Sequence, residues 1–226
     1  MPDPAVQDRR PAGAAAPAAR RAKSQVREWT ETIVIVVLLT FLLRSFVIQA
    51  FRIPSASMEN TLLVGDYLFV NKFLYGAKIP FTRVHLPALR APRPGDIIVF
   101  RYPLDPSQDF VKRCIAVEGQ TVEIRDKRVY VDGVLREEPF TKFSDPVTRR
   151  GPGDPRDNLG PIRVPAGKLF MMGDNRDNSA DSRYWGFIDR DQIQGKAIFV
   201  YWSWDPGRRI GLIPAPRLGR IGHLIH

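Results

Sequence analysis

The sequence predicts a mainly β protein, in which a single N-terminal transmembrane helix precedes an all-β domain with a small β insertion. Two observations predict this fold. One apolar run of helical length lies near the N-terminus, and many short apolar stretches follow it, separated by Gly, Pro, Asn and Asp. Beyond the run no amphipathic helical period is strong, and numerous short strands are typical of all-β domains.

Residues 1–31 form a basic tail. Residues 1–23 are rich in Ala, Pro and Arg and contain almost no large apolar side chain. Such a segment cannot bury enough surface to offset the entropy lost on ordering, so we predict a disordered tail. Residues 24–31 complete the tail as a polar segment before the apolar run, and they include Trp29, a residue type suited to membrane interfaces.

Residues 32–51 are predominantly apolar and carry one charge, Arg44. As a helix they would extend about 30 Å, which is enough to cross a bilayer. An arginine near the bilayer centre would cost about 3 kcal/mol, but a helix centred near Val37 lets Arg44 reach towards the far interface. We therefore predict a transmembrane helix over 32–51.

The positive charges predict the orientation of this helix. Four basic residues shortly precede it and one follows it directly: Arg20, Arg21, Lys23 and Arg27, then Arg52. This places the N-terminus in the cytoplasm and residues 52–226 on the other side of the membrane. The alternative is a secretory signal cut after Ile48-Gln49-Ala50, although Arg44 and Gln49 interrupt the region where a clean cleavage site would lie.

The domain beyond the helix consists of short strands and turns. Strands are predicted within 66–73, 97–100, 110–117, 121–124, 128–131, 134–135, 169–172 and 197–202. Asp132-Gly133 is a strong hairpin signal inside a small meander. Residues 76–95 and 139–167 are rich in Pro, Gly and charge and are predicted loops, and the insertion covers about 118–168.

Composition limits the function classes. The net charge of +10 and the pI near 10.1 would suit nucleic acid or an anionic membrane surface. The basic residues are spread along the chain and no zinc-finger spacing occurs, so we do not expect nucleic acid as a partner. A single cysteine, Cys114, forms no internal disulfide, and three scattered histidines predict no metal site.

The stretch Pro54-Ser55-Ala56-Ser57-Met58 directly follows the apolar run. Pro54 fixes its own φ and favours an extended Ile53, and the small residues after it allow close approach of another backbone. A serine displayed here can act as a nucleophile if another group accepts its proton, and a simple polar turn is the alternative.

Lys112 is the candidate proton acceptor, because no histidine lies near a serine motif. In a strand it shares one face with Phe110, Cys114 and Ala116, whereas Arg113 lies on the opposite face and need not touch the site. Desolvation lowers the pKa of a lysine, and a neutral amine can accept a serine proton. The alternative is that Lys112 extends from an edge strand into solvent.

A polar run covers 173–183, Gly-Asp-Asn-Arg-Asp-Asn-Ser-Ala-Asp-Ser-Arg. It is too polar for a core strand, and its Asn and Asp side chains are suited to a rigid turn. Asp181 and Arg183 are placed to form an ion pair. A calcium loop is the alternative, but the glutamate and flanking helices of an EF-hand are missing.

Together these stretches resemble the bacterial type I signal peptidases, membrane-anchored Ser/Lys proteases. Four motifs match in order. They are Pro54-Ser55-Ala56-Ser57-Met58 with Thr61-Leu62, Gly65-Asp66-Tyr67, Asp109-Phe110-Val111-Lys112-Arg113, and the polar run with Trp185-Gly186. The resemblance extends from the apolar helix to the C-terminal Arg-Ile-Gly-His-Leu-Ile-His.

The resemblance implies an all-β catalytic domain in which Ser57 is the nucleophile and Lys112 the general base. Ser55, with the Ser57 amide, corresponds to the oxyanion hole, and Ser179 to the residue that orients the lysine amine. Asp181 and Arg183 correspond to a supporting ion pair. The family's substrate pockets correspond to Ile53, Pro54, Met58, Leu62, Phe110 and Val111.

The resemblance also implies the setting of the activity. The enzyme would remove signal peptides from secretory preproteins after small residues, at the outer face of the cytoplasmic membrane. It would lie in the bilayer close to the export translocon and need no cofactor. Two residues depart from the family pattern: Asn60 stands where proline is usual, which predicts a less rigid turn after the nucleophile, and Ala56 where glycine is common.

Two rival functions remain at this stage. A self-cleaving repressor-type protease shares the Ser/Lys pair but would need a DNA-binding helix pair at the N-terminus, where this chain has its apolar run. An inactive membrane-anchored β domain that binds export partners is the second rival. The presence of both Ser57 and Lys112 disfavours it.

Overall fold

The computed structural model describes residues 25–42, 48–76, 87–151 and 153–226. This part of the chain is mainly β, as predicted. The described residues contain two α-helices, α1 (Gln25–Leu42) and α2 (Ser182–Trp185). The strands are β1 (Ile48–Arg52), β2 (Asp66–Asn71), β3 (Ile97–Tyr102), β4 (Asp105–Val117), β5 (Thr121–Arg125), β6 (Arg128–Val131), β7 (Val134–Leu135), β8 (Leu159–Arg163), β9 (Lys168–Met172), β10 (Ile188–Asp189), β11 (Ile193–Ile210) and β12 (Ile213–Pro216).

The predicted boundaries of the N-terminal helix were wrong. Helix α1 already begins at Gln25, so residues 25–31 of the predicted disordered tail are helical. At the other end, residues 48–51 belong to β1, which pairs with β2. Residues 1–24 and Arg44 lie outside the described residues. Among the described helices, none is long and apolar enough to cross a membrane.

The main sheet carries residues 53–58, named the nucleophile segment after the candidate nucleophile Ser57, and the candidate base Lys112 on β4. Its strand order is β1-β2-β11-β3-β4-β9-β10, and β12 pairs with β11 at the side. All of these pairs are antiparallel. A buried core supports the sheet beneath the nucleophile segment, built mainly from Ile53, Met58, Leu62, Leu68, Val70, Ile97, Val99 and Val200. The residues that follow β1 are therefore held by the core.

A second sheet forms within the predicted insertion, in the order β7-β6-β5-β8. It packs its apolar face on β4 and β9, where Val122 and Val131 join Ile115 and Phe170 in one buried cluster. The meander and the hairpin turn at 132–133 agree with the prediction. Strand β8 was missed, because a segment containing Gly160 and Pro161 lacks an alternating apolar signal.

Some predicted strands are longer than expected. Strand β4 begins at Asp105 rather than Phe110, and β11 extends from Ile193 to Ile210 rather than over 197–202. The additional segment of β4 and residues 206–210 of β11 are largely solvent-exposed, whereas residues 194–196 of β11 are buried or partly buried but polar or small. An apolar pattern identifies only the apolar part of a strand, so such extensions are not predicted by it.

Candidate active site

The nucleophile segment leaves β1 and enters a short 3-10 turn at Ala56–Met58. Buried Ile53 and Met58 fix the two ends of the segment in the core. The polar run holds it from the other side, because the Asn175 backbone N–H donates to the Ser57 carbonyl at 3.0 Å. The Asn175 side-chain amide donates to the Ala56 carbonyl at 3.1 Å. The backbone at Ser57 is thus held between the core and the polar run.

Lys112 reaches this segment from β4. Its Nζ lies 2.5 Å from Ser57 Oγ, within hydrogen-bond distance. The lysine is only 3% exposed, and the Phe110 ring lies 5.5 Å from Nζ. Burial lowers the pKa of Lys112 to about 8, although the nearby Asp181 carboxylate opposes this shift. The pair can exchange a proton, which is the first requirement for an activated serine.

Ser55 is exposed beside the pair. Its Oγ lies 3.4 Å from Ser57 Oγ, and its backbone is extended. Two hydroxyls and one amine therefore meet at the same point of the surface. Ser55 is placed where it can donate to an oxygen that develops negative charge next to Ser57.

A cleft of about 700 Å³ opens over these groups. Its walls come from β1, the nucleophile segment, β4 and the polar run. The lining residues are Phe51, Arg52, Ile53, Pro54, Ser55, Ala56, Ser57, Met58, Gln108, Asp109, Phe110, Val111, Lys112, Asn178 and Ala180. Five of the six residues assigned to substrate pockets are among them. Leu62 is not: it is fully buried in the core behind Met58.

Asp181 and Arg183 form a buried ion pair within the polar run. The guanidinium donates from Nε and Nη2 to the two carboxylate oxygens, both at 2.8 Å. Asp181 also accepts from the Gly173 N–H at 3.1 Å. Arg183 further donates to the carbonyls of Arg156 and Arg176, at 2.7 and 2.6 Å. The pair thereby fixes the shape of the run and places a carboxylate near Lys112.

Ser179 lies against the nucleophile segment without bonding to the lysine. Its Oγ is buried and, within the described residues, has no hydrogen-bond partner. Gly173 separates it from Ser57: a Cβ placed on Gly173 would lie 2.3 Å from Ser179 Oγ and 2.4 Å from the Ser57 carbonyl oxygen. The structure thus brings Ser179 close to the site but leaves its hydroxyl unpaired.

A second buried ion pair joins Arg113 to Asp174, and the sequence analysis missed it. Arg113 Nε and Nη2 donate to the Asp174 carboxylate at 2.9 and 2.8 Å. Thr61 Oγ1 donates to the same carboxylate at 2.5 Å, so it also links the nucleophile turn. Strand alternation correctly placed Arg113 opposite Lys112, but it could not show that this face meets the polar run.

Asn60 adopts a conformation that proline cannot. Its φ is +94°, in a region closed to a residue whose ring holds φ near −65°. Its side-chain amide donates to the Thr141 carbonyl at 3.2 Å. The residue expected to loosen the turn is therefore tied to the segment after β7, and a proline would not fit this turn.

No metal centre is evident in 25–42, 48–76, 87–151 and 153–226, where no three His, Cys, Asp or Glu side chains are grouped to hold an ion. The groups that converge are a serine hydroxyl pair and a buried amine. Such an arrangement is suited to acyl transfer.

Comparisons of this chain with known proteins find signal peptidases. Residues 26–202 match the family described as signal peptidase, peptidase S26. Signal peptidase I of Pseudomonas aeruginosa is 38% identical over 220 residues, covering 84% of this chain and 76% of the relative. The Aquifex aeolicus signal peptidase I is 34% identical, covering 75% and 81%. A probable signal peptidase I-1 of Synechocystis is 37% identical, covering 87% of each.

Proposed function

The chain belongs to the signal peptidase family, peptidase S26, and from its site geometry we propose that Ser57 is the nucleophile and Lys112 the general base. It is a serine endopeptidase with signal peptidase I function and acts on the signal peptides of preproteins. One observation carries the assignment of roles: the buried Lys112 amine lies 2.5 Å from Ser57 Oγ and has its pKa lowered to about 8 by burial. About a tenth of the amine is then neutral at pH 7, far more than for an ordinary lysine.

Acylation begins when neutral Lys112 accepts the proton of Ser57 Oγ as that oxygen attacks the scissile carbonyl carbon. The carbonyl oxygen becomes an oxyanion, and we assign its stabilisation to the Ser57 N–H and the Ser55 hydroxyl. When the C–N bond breaks, the Lys112 ammonium gives its proton to the departing amine. The mature protein leaves with a free N-terminus and the signal peptide stays esterified to Ser57.

Deacylation uses the same groups in the same order. A water molecule attacks the ester carbonyl while neutral Lys112 takes its proton. The second oxyanion occupies the position of the first, and its collapse returns the proton to Ser57 Oγ. Ser57 and Lys112 are then restored, and the signal peptide leaves with a free carboxylate.

The cleft is suited to an extended peptide. Within the described residues β1 pairs only with β2, and residues 109–112 of β4 pair only with β3, so each strand has one free edge. Both strands line the cleft, and a peptide between them can pair with backbone groups on either side. Ile53, Met58 and Val111 leave shallow apolar surfaces there, which favour small side chains next to the scissile bond.

We place the reaction at the outer face of the cytoplasmic membrane, with the N-terminal tail in the cytoplasm, the apolar part of α1 associated with the bilayer and the export translocon nearby. The distribution of charge around the apolar run supports this orientation. In α1, the side chains of 33–39 are all more than half exposed and all apolar. A lipid environment would remove that surface from water.

The pH dependence tests the general base. We expect kcat/KM to rise with pH along an acid limb near 8, because burial lowers the pKa of Lys112 to about 8 and only the neutral amine accepts a proton. Below the limb the rate should fall about tenfold per pH unit. The measurement is kcat/KM for cleavage of a preprotein in detergent, determined from pH 5 to 10. An acid optimum would instead indicate carboxylate chemistry and contradict the assignment.

Replacing Ser55 tests the oxyanion hole. Ser55→Ala removes one exposed hydroxyl, so the protein should fold normally while kcat falls by about 10²–10³ with little change in KM. Ser55→Thr keeps a hydroxyl and should retain more activity. Steady-state kinetics of both variants decide the point: equal, near-complete losses would show that Ser55 has a structural role.

A further inference from the structure

The β5–β6 hairpin has an unusual turn. Asp126 and Lys127 connect the two strands, and both have positive φ, +47° and +70°. Two-residue turns of this kind favour Asn-Gly or Asp-Gly, because a side chain at positive φ is strained. Lys127 therefore occupies a position where glycine would fit better. A residue persists in such a strained conformation only when the contacts around it hold it there, so the contacts of the Lys127 side chain are informative.

The Lys127 side chain leaves its own sheet and contacts the polar run. Its Nζ donates to Asp177 Oδ1 at 2.9 Å and to the Asp145 carbonyl at 2.6 Å. The side chain is only 12% exposed, so water screens this ion pair little. The Lys127 backbone N–H donates to the Asp157 carbonyl at 2.9 Å, which fixes the base of the side chain. The ammonium is therefore held firmly against Asp177.

Asp177 is one of the residues through which the insertion holds the polar run, and the buried Arg156 Nε also lies 3.8 Å from its Oδ1. Its other oxygen, Oδ2, accepts from the Asp145 N–H at 2.8 Å. Asp177 lies in the 3-10 turn Arg176–Asn178, two residues before Ser179 and four before Asp181. Asn178, the next residue, lines the substrate cleft. Any displacement of Asp177 is therefore passed on to the cleft wall and to the ion pair beside Lys112.

We propose that Lys127 is a positioning residue for the cleavage reaction, because it fixes Asp177 and with it the part of the polar run that lines the cleft and faces Lys112. The proposal rests on the proposed function, since it assigns to Lys127 the support of the Ser57–Lys112 site. Lys127 touches neither the substrate nor the reacting atoms. It acts through Asp177 on the geometry of the reaction.

The turn itself supplies a matched pair of variants. Lys127→Gly and Asp126→Gly each relieve one positive φ in the same turn. Lys127→Gly also removes a largely buried ion pair, so its Tm should fall, whereas Asp126→Gly should leave the Tm nearly unchanged. The Asp126 side chain contributes only an exposed ion pair with Arg150 at 3.0 Å, and its backbone N–H, which donates to Asn158 Oδ1, is kept in Asp126→Gly. This replacement should therefore leave kcat unchanged. Lys127→Gly should lower kcat by about 10–100-fold, because small misplacements in a site have effects of this size.

Kinetics per active site separate positioning from stability. The concentration of competent enzyme is measured by titration with an acylating inhibitor, and kcat and KM are then determined for a preprotein. A Lys127→Gly variant with wild-type kcat per site would overturn the proposal, whether its Tm is unchanged or reduced. Lys127→Arg keeps the cation and should recover part of the lost rate.

A double variant tests the route through Asp177. Asp177→Asn removes the charge that Lys127 contacts, so adding Lys127→Gly should lower kcat by less than about threefold further. If the loss of kcat in the double variant equals the product of the losses in the two single variants, then Lys127 does not act through Asp177. Lys112→Ala, measured in parallel, separates this idea from the proposed function. Activity in Lys112→Ala would refute the Ser57–Lys112 assignment, whereas an inactive Lys112→Ala beside a fully active Lys127→Gly would refute only the positioning role.

Discussion

Lys112→Met is expected to abolish cleavage and at the same time raise the free energy of unfolding near neutral pH. Burial lowers the pKa of Lys112 from 10.5 to about 8, so the folded state holds this proton less tightly than the unfolded chain does. Below pH 8 the lysine is protonated in both states, and folding then carries a cost of about 3 kcal/mol. Methionine fills a similar volume without that cost.

The stabilisation should depend on pH in a defined direction. Between pH 8 and 10.5 the folded protein releases the proton first, so the stability of the wild type rises with pH and the advantage of Lys112→Met shrinks. Above 10.5 the amine is neutral in both states and the advantage should be gone. Urea unfolding of both proteins at pH 7, 9 and 11 measures this convergence.

The loss of activity should be about 10⁴-fold or more, since the nucleophile is left without a base. Ser57→Ala should be equally inactive, and combining the two should cost little more because the two groups act as a unit. Lys168→Met is a suitable control: this lysine is partly exposed and pairs with Asp189 at 2.8 Å. Substantial cleavage by Lys112→Met, or a destabilised Lys112→Met near pH 7, would contradict the role of a buried base.

Most of the β domain could be predicted from the sequence because its strands either alternate, as in β5 and β6, or form short continuous apolar runs, as in β3 and β9. Val122, Ile124, Val129 and Val131 all face one core, and each lies at the position that period-two alternation assigns. Strand β1 could not be predicted in the same way. Its apolar residues continue an apolar run, and hydrophobicity alone does not distinguish the end of a helix from a buried strand. Pairing with β2 decides between them.

The proposed catalytic pair could be predicted because its residues lie in recognisable motifs, but the residues that hold it in place could not. Asp174 meets Arg113 across 61 residues of sequence, and Asp177 meets Lys127 across 50. Such contacts depend on how two sheets pack, and no local pattern encodes them. The positive φ of Asn60 could not be predicted for a related reason. Asparagine tolerates a positive φ but does not require one, so only the folded turn determines it.

Gly173→Ala is expected to lower kcat by about 10²-fold or more while the β domain still folds. The added methyl group would lie 2.4 Å from the Ser57 carbonyl oxygen and 2.3 Å from Ser179 Oγ. The Ser179 hydroxyl can rotate away, although its Cβ at 2.7 Å must also shift. The carbonyl belongs to the backbone of the proposed nucleophile and moves only if Ser57 moves. Because Ser57 Oγ and Lys112 Nζ are in direct contact, a displacement of about 1 Å would separate them, and misplacements of that size have such effects.

Two other glycines make this prediction specific to the site. Gly160→Ala places its methyl group in open space and should leave both activity and Tm unchanged. Gly195→Ala meets the Asn71 carbonyl at 2.5 Å, a comparable overlap that touches no residue of the proposed site. It should lower the Tm and leave kcat per titrated active site intact. Gly173→Ala should show the opposite pattern, a reduced kcat per site with a smaller change in Tm. If both variants lose only stability, then Gly173 is a packing residue and the close approach of the polar run to Ser57 has no part in catalysis.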